Sequence, residues 1–230
     1  MQKIKLNFTH DNSVAQIILD DGKGNVLDKI MMSELQEVLD SFRERNDLKL
    51  ITLEGAGKHF SFGASVEEHK KESAGQMLKS FHKLFYTIAD LGIPTLAKIS
   101  GQCLGGGMEL AIMCNFLFAD KISKFGQPEI ALGVFPPPAS IILPLKIGNA
   151  RAEELLITGK IISVEKAKSI GLVNKIYEDK MTMETNVNEW ILKNIIPKSA
   201  SVLKFAVKAS RIMFNHILAN KLPNLERIYV

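Results

Sequence analysis

The first hundred residues switch repeatedly between two hydrophobic periods, and this alternation restricts the fold more than any other feature. KIKLNFTH and SVAQIILDD are β-type segments, and Asp11 and Asn12 between them form a turn, so they read as an N-terminal hairpin. Residues 28–45 carry Ile30, Met31, Leu35, Val38, Leu39 and Phe42 at helical spacing behind Asp28, a predicted N-cap. LKLITLEGAG is the next strand, an amphipathic helix spans 75–91, and IPTLAKIS gives a strand at 94–100. This order demands a sheet with helical crossovers, which bring the connecting loops to one end of the strands. The fold class is therefore α/β. From Arg151 onward helices dominate, a long one running through KSASVLKFAVKASRIMFNHILANK, with GLVNKIYE extended. Two regions are expected: 1–150 as the core carrying the site, and 151–230 as a helical region engaged in packing and oligomerisation.

The 230 residues suffice for one sizeable core, and 46% hydrophobic with 23% charged residues is ordinary for a globular protein. No apolar run approaches the roughly 18 to 20 residues that cross a bilayer. Two cysteines, Cys103 and Cys114, and no leader-like start point to a reducing, cytoplasmic setting. A formal charge of +4 is modest for this length and does not single out nucleic acid as the main partner.

The chemistry concentrates in GQCLGGGMELAIMCN and HFSFGAS. Glycines before a helix let a ligand approach the backbone, and a helix start exposes unpaired N–H groups at the positive end of the dipole. That pattern stabilises an anion. GQCLGGG lacks the Lys and Ser/Thr of a Walker loop and the spacing of a dinucleotide fingerprint, so a nucleotide cradle is disfavoured. The other candidate is an anion of the transition state, such as the enolate of a thioester, held by two converging backbone donors. HFSFGAS, 59–65, follows the strand ending near Glu54 and can face the glycine triplet across the sheet end. Glu109 is expected in the first turn of the helix and Glu129 in FGQPEIALG, where two carboxylates in different environments can divide general-acid and general-base work. Taken singly, Glu109 could serve only the helix dipole and Glu129 only a surface loop.

At these residues the sequence resembles the enoyl-CoA hydratase/isomerase, or crotonase, superfamily. The matching blocks occur in family order along most of the chain: GNVLD, FSFGAS, IPTLAKISGQCLGGGMELAIMCN, FGQPEIALGVFP, AEELLITGK and AKSIGLVNKI. The resemblance implies a spiral of ββα turns with a helical C-terminal part, assembled as trimers or dimers of trimers. It also implies an acyl-CoA thioester substrate and no metal or separate cofactor. The N–H groups of Ala64 and Gly106 would form the oxyanion hole, and Glu109 and Glu129 would handle the water and the proton. Phe62, Gly63, Ser65, Gly105, Met108, Phe135, Ala139 and Ser140 would contact the substrate.

HFSFGASVEEH and GQPEIALGVFPPPAS narrow the resemblance to hydratases that add water to a cyclic dienoyl-CoA in anaerobic benzoyl-CoA breakdown. A general hydratase or double-bond isomerase on linear acyl-CoA, and a non-catalytic binding protein, are the alternatives. Ser65 stands where ordinary hydratases have Asp, and FPPPAS replaces a glycine-containing segment with Pro137, Pro138, Ala139 and Ser140, which remodels the pocket and removes N–H donors. Typical members extend about one helix beyond Val230, over the CoA adenine. His59 and His69 flank the first glycine loop, but the glutamates already fill the acid and base roles. Cys103, Cys114, Met31, Met32 and Met113 read as core. Lys198, Lys204, Lys208 and Arg211 read as one solvated helix face, with contact to CoA phosphates as the alternative.

Overall fold

A computed structural model describes residues 1–65, 67 and 71–229. The N-terminal hairpin is β1 (Ile4–Thr9) against β2 (Val14–Leu19), antiparallel, with His10, Asp11 and Asn12 all at positive φ in the turn. Asp28 caps α1 (Lys29–Ser41), its carboxylate accepting from the Met31 N–H at 3.0 Å. The buried stripe of α1 is Met31, Met32, Leu35, Val38 and Leu39, whereas Ile30 turns outward.

Each later turn of the chain repeats one path. β3 (Leu50–Gly55) lies in a large sheet, Ser61 then bridges to Cys103, and α2 (Lys71–Leu91) returns. β4 (Thr95–Ile99) lies beside β3, β5 (Gln102–Leu104) carries the Cys103 side of that bridge, and α3 (Gly105–Met113) follows. β6 (Phe116–Asp120) lies beside β4, β7 (Lys124–Gly126) beside β5, and a 3₁₀ turn (Pro128–Leu132) leads to α4 (Pro137–Ile147). Strand, then a short strand or, in the first turn, the single bridge at Ser61, then helix, is the path of a ββα spiral. β3 and β4 are buried at every position, as parallel strands covered on both faces must be.

The C-terminal third is helical but also completes both sheets. α5 (Asn149–Thr158) leads to β8 (Ile161–Ser163), antiparallel to β7; after α6 (Val164–Ser169), β9 (Lys175–Tyr177) joins β6 in parallel. The sheet order is β1-β2-β3-β4-β6-β9 in one layer and β5-β7-β8 in the other. α7 (Lys180–Asn194) buries Met183, Val187 and Ile191 against Val14, Leu50, Leu96 and Phe118, the sheet face opposite the main core.

The expected single long C-terminal helix is instead two, α8 (Ala200–Ser210) and α9 (Ile212–Tyr229). The break falls at Arg211, whose guanidinium donates to the Met113 carbonyl at 2.7 Å and lies 4.8 Å over the Phe214 ring. Nor is the basic face simply solvated: Lys204 donates to the Arg45 carbonyl at 2.9 Å, and Arg211 is half-buried, bonded to the end of α3.

Candidate active site

Two loops meet where β3 and β5 end. Ser61 Oγ donates to the Asn25 carbonyl at 2.7 Å and accepts from the Gly63 N–H at 3.0 Å, fixing the first loop. Leu27 N–H donates to Gly63 O at 2.9 Å and Ser65 N–H to Leu27 O at 3.4 Å. A parallel bridge of that kind uses the groups on either side of Ala64, so the Ala64 N–H points the other way, toward α3. Among the described residues no acceptor pairs with it.

Each glycine of the triplet answers a different neighbour. Gly105 has φ +50, and a Cβ on it would come within 2.9 Å of Glu129 Oε1. A Cβ on Gly106 would stand 3.1 Å from the Ala64 nitrogen, and one on Gly107 only 2.5 Å from Ser61 Cβ. The missing side chains therefore press the start of α3 against the first loop, so that the Gly106 and Ala64 amides border one space. Leu104, the N-cap, supplies no side-chain acceptor, leaving the first N–H groups of α3 open. Because the glycines are themselves helical, Glu109 falls in the second turn rather than the first.

Glu109 is 3% exposed, and its Oε1 accepts from the Ala139 N–H at 2.9 Å. The prolines explain that contact. Pro136 is the N-cap of α4 and Pro137 and Pro138 its first two residues, so Ala139 offers the first N–H of the helix while Ser140 N–H already bonds Pro136 O. Burial and then the neighbouring Glu129 hold the Glu109 carboxyl well above its ordinary range, against the opposing pull of Ala139. Glu129, in the 3₁₀ turn, is pushed up to about 7 by burial. The Gln127 amide, turned with its nitrogen toward that carboxylate, donates at 3.0 and 3.1 Å. Both carboxyls therefore hold their protons more tightly than free glutamates do, as an interacting pair.

Both carboxyls line a cavity of about 170 Å³ together with Phe62, Gly63, Ala64, Gly105, Gly106 and Phe135. Four expected contact residues do not line it. Met108 is fully buried on the core side of α3; Ala139 acts from behind, through its N–H to Glu109; Ser140 turns its hydroxyl back to Pro136 O at 2.8 Å; Ser65 lies past the bridge to Leu27. The sequence reading missed Met77, Leu78 and Phe81 of α2, Leu132, and Tyr229 of α9. The α2 residues showed only as an apolar helix face, and nothing local marked Tyr229.

His59 accepts from the Gln102 N–H through Nδ1 at 3.1 Å, and burial lowers its pKa, so it is a neutral structural acceptor outside the cavity. His69 lies outside the described residues. Cys103 and Cys114 are buried and their thiols are pushed up, Cys114 to about 11, which makes them core groups rather than nucleophiles. Among the described residues no three His, Cys, Asp or Glu side chains are grouped to hold a metal ion.

Known proteins share this arrangement of elements. The sequence profile of the family described as Enoyl-CoA hydratase/isomerase matches residues 9–223. The chain belongs to the enoyl-CoA hydratase/isomerase family. A relative from Thauera aromatica, named cyclohexa-1,5-dienecarbonyl-CoA hydratase, is 40% identical over 227 residues, covering 99% of this chain and 87% of its own. The crystal structure of an enoyl-CoA hydratase from Bacillus anthracis superposes with a TM-score of 0.85 at 26% identity, covering 97% of this chain and 90% of that one. An enoyl-CoA hydratase structure from Bacillus halodurans reaches a TM-score of 0.90 at 22% identity, over 98% and 92% of the two chains, and bears on the fold alone. Enoyl-CoA hydratase/isomerase family members act on acyl-CoA thioesters, and no described helix is long and apolar enough to cross a membrane. The ββα spiral and helical C-terminal part expected from the sequence are thus the fold observed.

Proposed function

We propose that this member of the family is a hydratase that adds water to a cyclic conjugated dienoyl-CoA, cyclohexa-1,5-diene-1-carbonyl-CoA, giving 6-hydroxycyclohex-1-ene-1-carbonyl-CoA. The observation that carries the reading is the convergence of two open backbone donors and two carboxyls of raised pKa on one apolar cavity. The thioester oxygen accepts from Ala64 and Gly106 N–H. Glu129, once ionised, takes a proton from water as the new C–O bond forms, and the displaced electron pair moves toward the thioester oxygen, where the two amides stabilise it. Glu109 returns a proton to the carbon skeleton and the pair exchanges protons to reset. The relative's name supports the ring substrate. So does size, since a cavity of about 150 Å³ is enough to hold a benzene ring and this one is about 170 Å³.

In this reading the chain works as a homo-oligomer, a trimer or dimer of trimers, which would cover the exposed Val202, Phe205, Ile212 and Met213 of α8 and α9. Incubation with the cyclic dienoyl-CoA and with crotonyl-CoA in ¹⁸O-labelled water tests the function. Rapid label uptake into the cyclic ester and little into crotonyl-CoA is expected. Preference for crotonyl-CoA would return the protein to general hydration, and rearrangement without label would make it an isomerase.

A further inference from the structure

Tyr229 is the only polar side chain other than Glu109 and Glu129 among the described residues lining the cavity. It arrives from the far end of the sequence. On α9, Leu218, Leu222, Leu225 and Tyr229 recur at helical spacing and face the main core, the first two fully buried. Beside that stripe, Glu226 Oε1 lies 2.5 Å from His82 Nδ1 on α2. His82 is wholly buried with Nε2 unpartnered, and desolvation lowers its pKa, so the neutral ring donates from Nδ1 to the carboxylate. The residue before it, Phe81, lines the cavity with Met77 and Leu78 of the same helix. The two helices that join through His82 and Glu226 therefore carry one wall of the cavity between them. Across it the Tyr229 ring packs on Phe135, centroids 5.4 Å apart at 56°. Burial, with a contribution from both glutamates, pushes the phenol up to about 12, so it stays protonated beside them.

We infer that Tyr229, packed on Phe135, is the size-limiting wall of the acyl cavity and selects a compact ring over an extended acyl chain. The inference rests on the acyl-thioester reading of this site and names the residue that sets its specificity. A ring pinned by a helix stripe on one side and Phe135 on the other cannot yield to a long chain without breaking packing that the buried His82 contact helps to fix.

The test is calorimetric binding of two saturated, unreactive thioesters, cyclohexanecarbonyl-CoA and decanoyl-CoA, to the wild type and to Tyr229→Phe, Tyr229→Ala and Tyr229→Trp. The wild type and Tyr229→Phe are expected to favour the cyclic ester, while Tyr229→Ala shifts the ratio toward decanoyl-CoA by about tenfold or more. Tyr229→Trp, which fills the cavity instead of opening it, is expected to weaken the cyclic ester by a similar factor. A folded Tyr229→Ala protein with the wild-type ratio, or a Tyr229→Trp protein with unchanged cyclic affinity, overturns the inference. Binding does not require turnover, so the two ideas fail separately. A Tyr229-dependent ratio without hydration removes the hydratase reading and keeps the wall, and hydration with a Tyr229-independent ratio does the reverse.

Discussion

The two ends of α3 are finished in opposite ways. At its start three glycines, a capless Leu104 and the close approach of Ala64 leave backbone donors open toward a cavity. At its end the Met113 carbonyl accepts from Arg211 at 2.7 Å and the Cys114 carbonyl from Lys146 at 2.9 Å, both cations being half-buried. A nine-residue helix needs both ends satisfied when it is buried from first residue to last. Here the negative end is closed by protein cations and the positive end is kept for a ligand. In the proposed reaction the open end is the place where negative charge develops, and the closed end is scaffold.

If that division is right, changes at the open end should damage turnover and changes at the closed end should damage stability. Glu109→Gln keeps the shape and the acceptor for Ala139 but cannot release a proton, and should lower turnover by about 10² to 10⁴-fold with CoA-ester affinity largely kept, in steady-state and calorimetric measurements. Gly106→Ala puts a methyl 3.1 Å from the Ala64 nitrogen, and should cost about 10² to 10³-fold in turnover. Glu129 gives a pH signature at the same end. Its folded pKa of about 7 lies above the ordinary 4.5, so the folded state holds the proton longer, and its contribution to stability is full below about pH 4.5 and is lost as pH rises through 7. Glu129→Gln should therefore melt higher than wild type at pH 8, by on the order of 3 kcal/mol, and equally at pH 4, while the wild-type rate rises through about pH 7. At the closed end, Lys146→Ala leaves the Cys114 carbonyl without its Lys146 donor and removes a half-buried stem. A loss of about 1 to 3 kcal/mol in denaturant unfolding is expected, with turnover changed far less than by Gly106→Ala. A Lys146→Ala protein of normal stability and poor turnover would break the comparison.

What the sequence made legible was local. Strands β1 to β4 and helix α1 could be read because period, cap and turn chemistry agree within a few residues: Asp28 at the N-cap, Asp11 and Asn12 in the turn. The two glycine loops and both glutamates were legible for the same reason, each lying at a strand end or beside the helix start. The parts that could not be read depend on contacts across long stretches of chain. Arg211 and Lys204 looked like a solvated face, and only the fold shows their carbonyl partners on Met113 and Arg45. Tyr229 reaches Phe135 across more than ninety residues, and the role of Ala139 depends on which way Glu109 points, which spacing does not encode. In the sequence the prolines before Ala139 signify a remodelled pocket and lost donors; their place in α4 shows that they leave one donor, and that it is used.

The most direct test of an open helix end is the infrared stretch of a ¹³C-labelled thioester carbonyl in bound cyclohexanecarbonyl-CoA. With the oxygen held by the Ala64 and Gly106 amides, the band should move to lower wavenumber than in water, and Gly106→Ala should return much of that shift while the ester remains bound. A bound ester whose carbonyl band matches that in water, in the wild-type protein, would contradict the account.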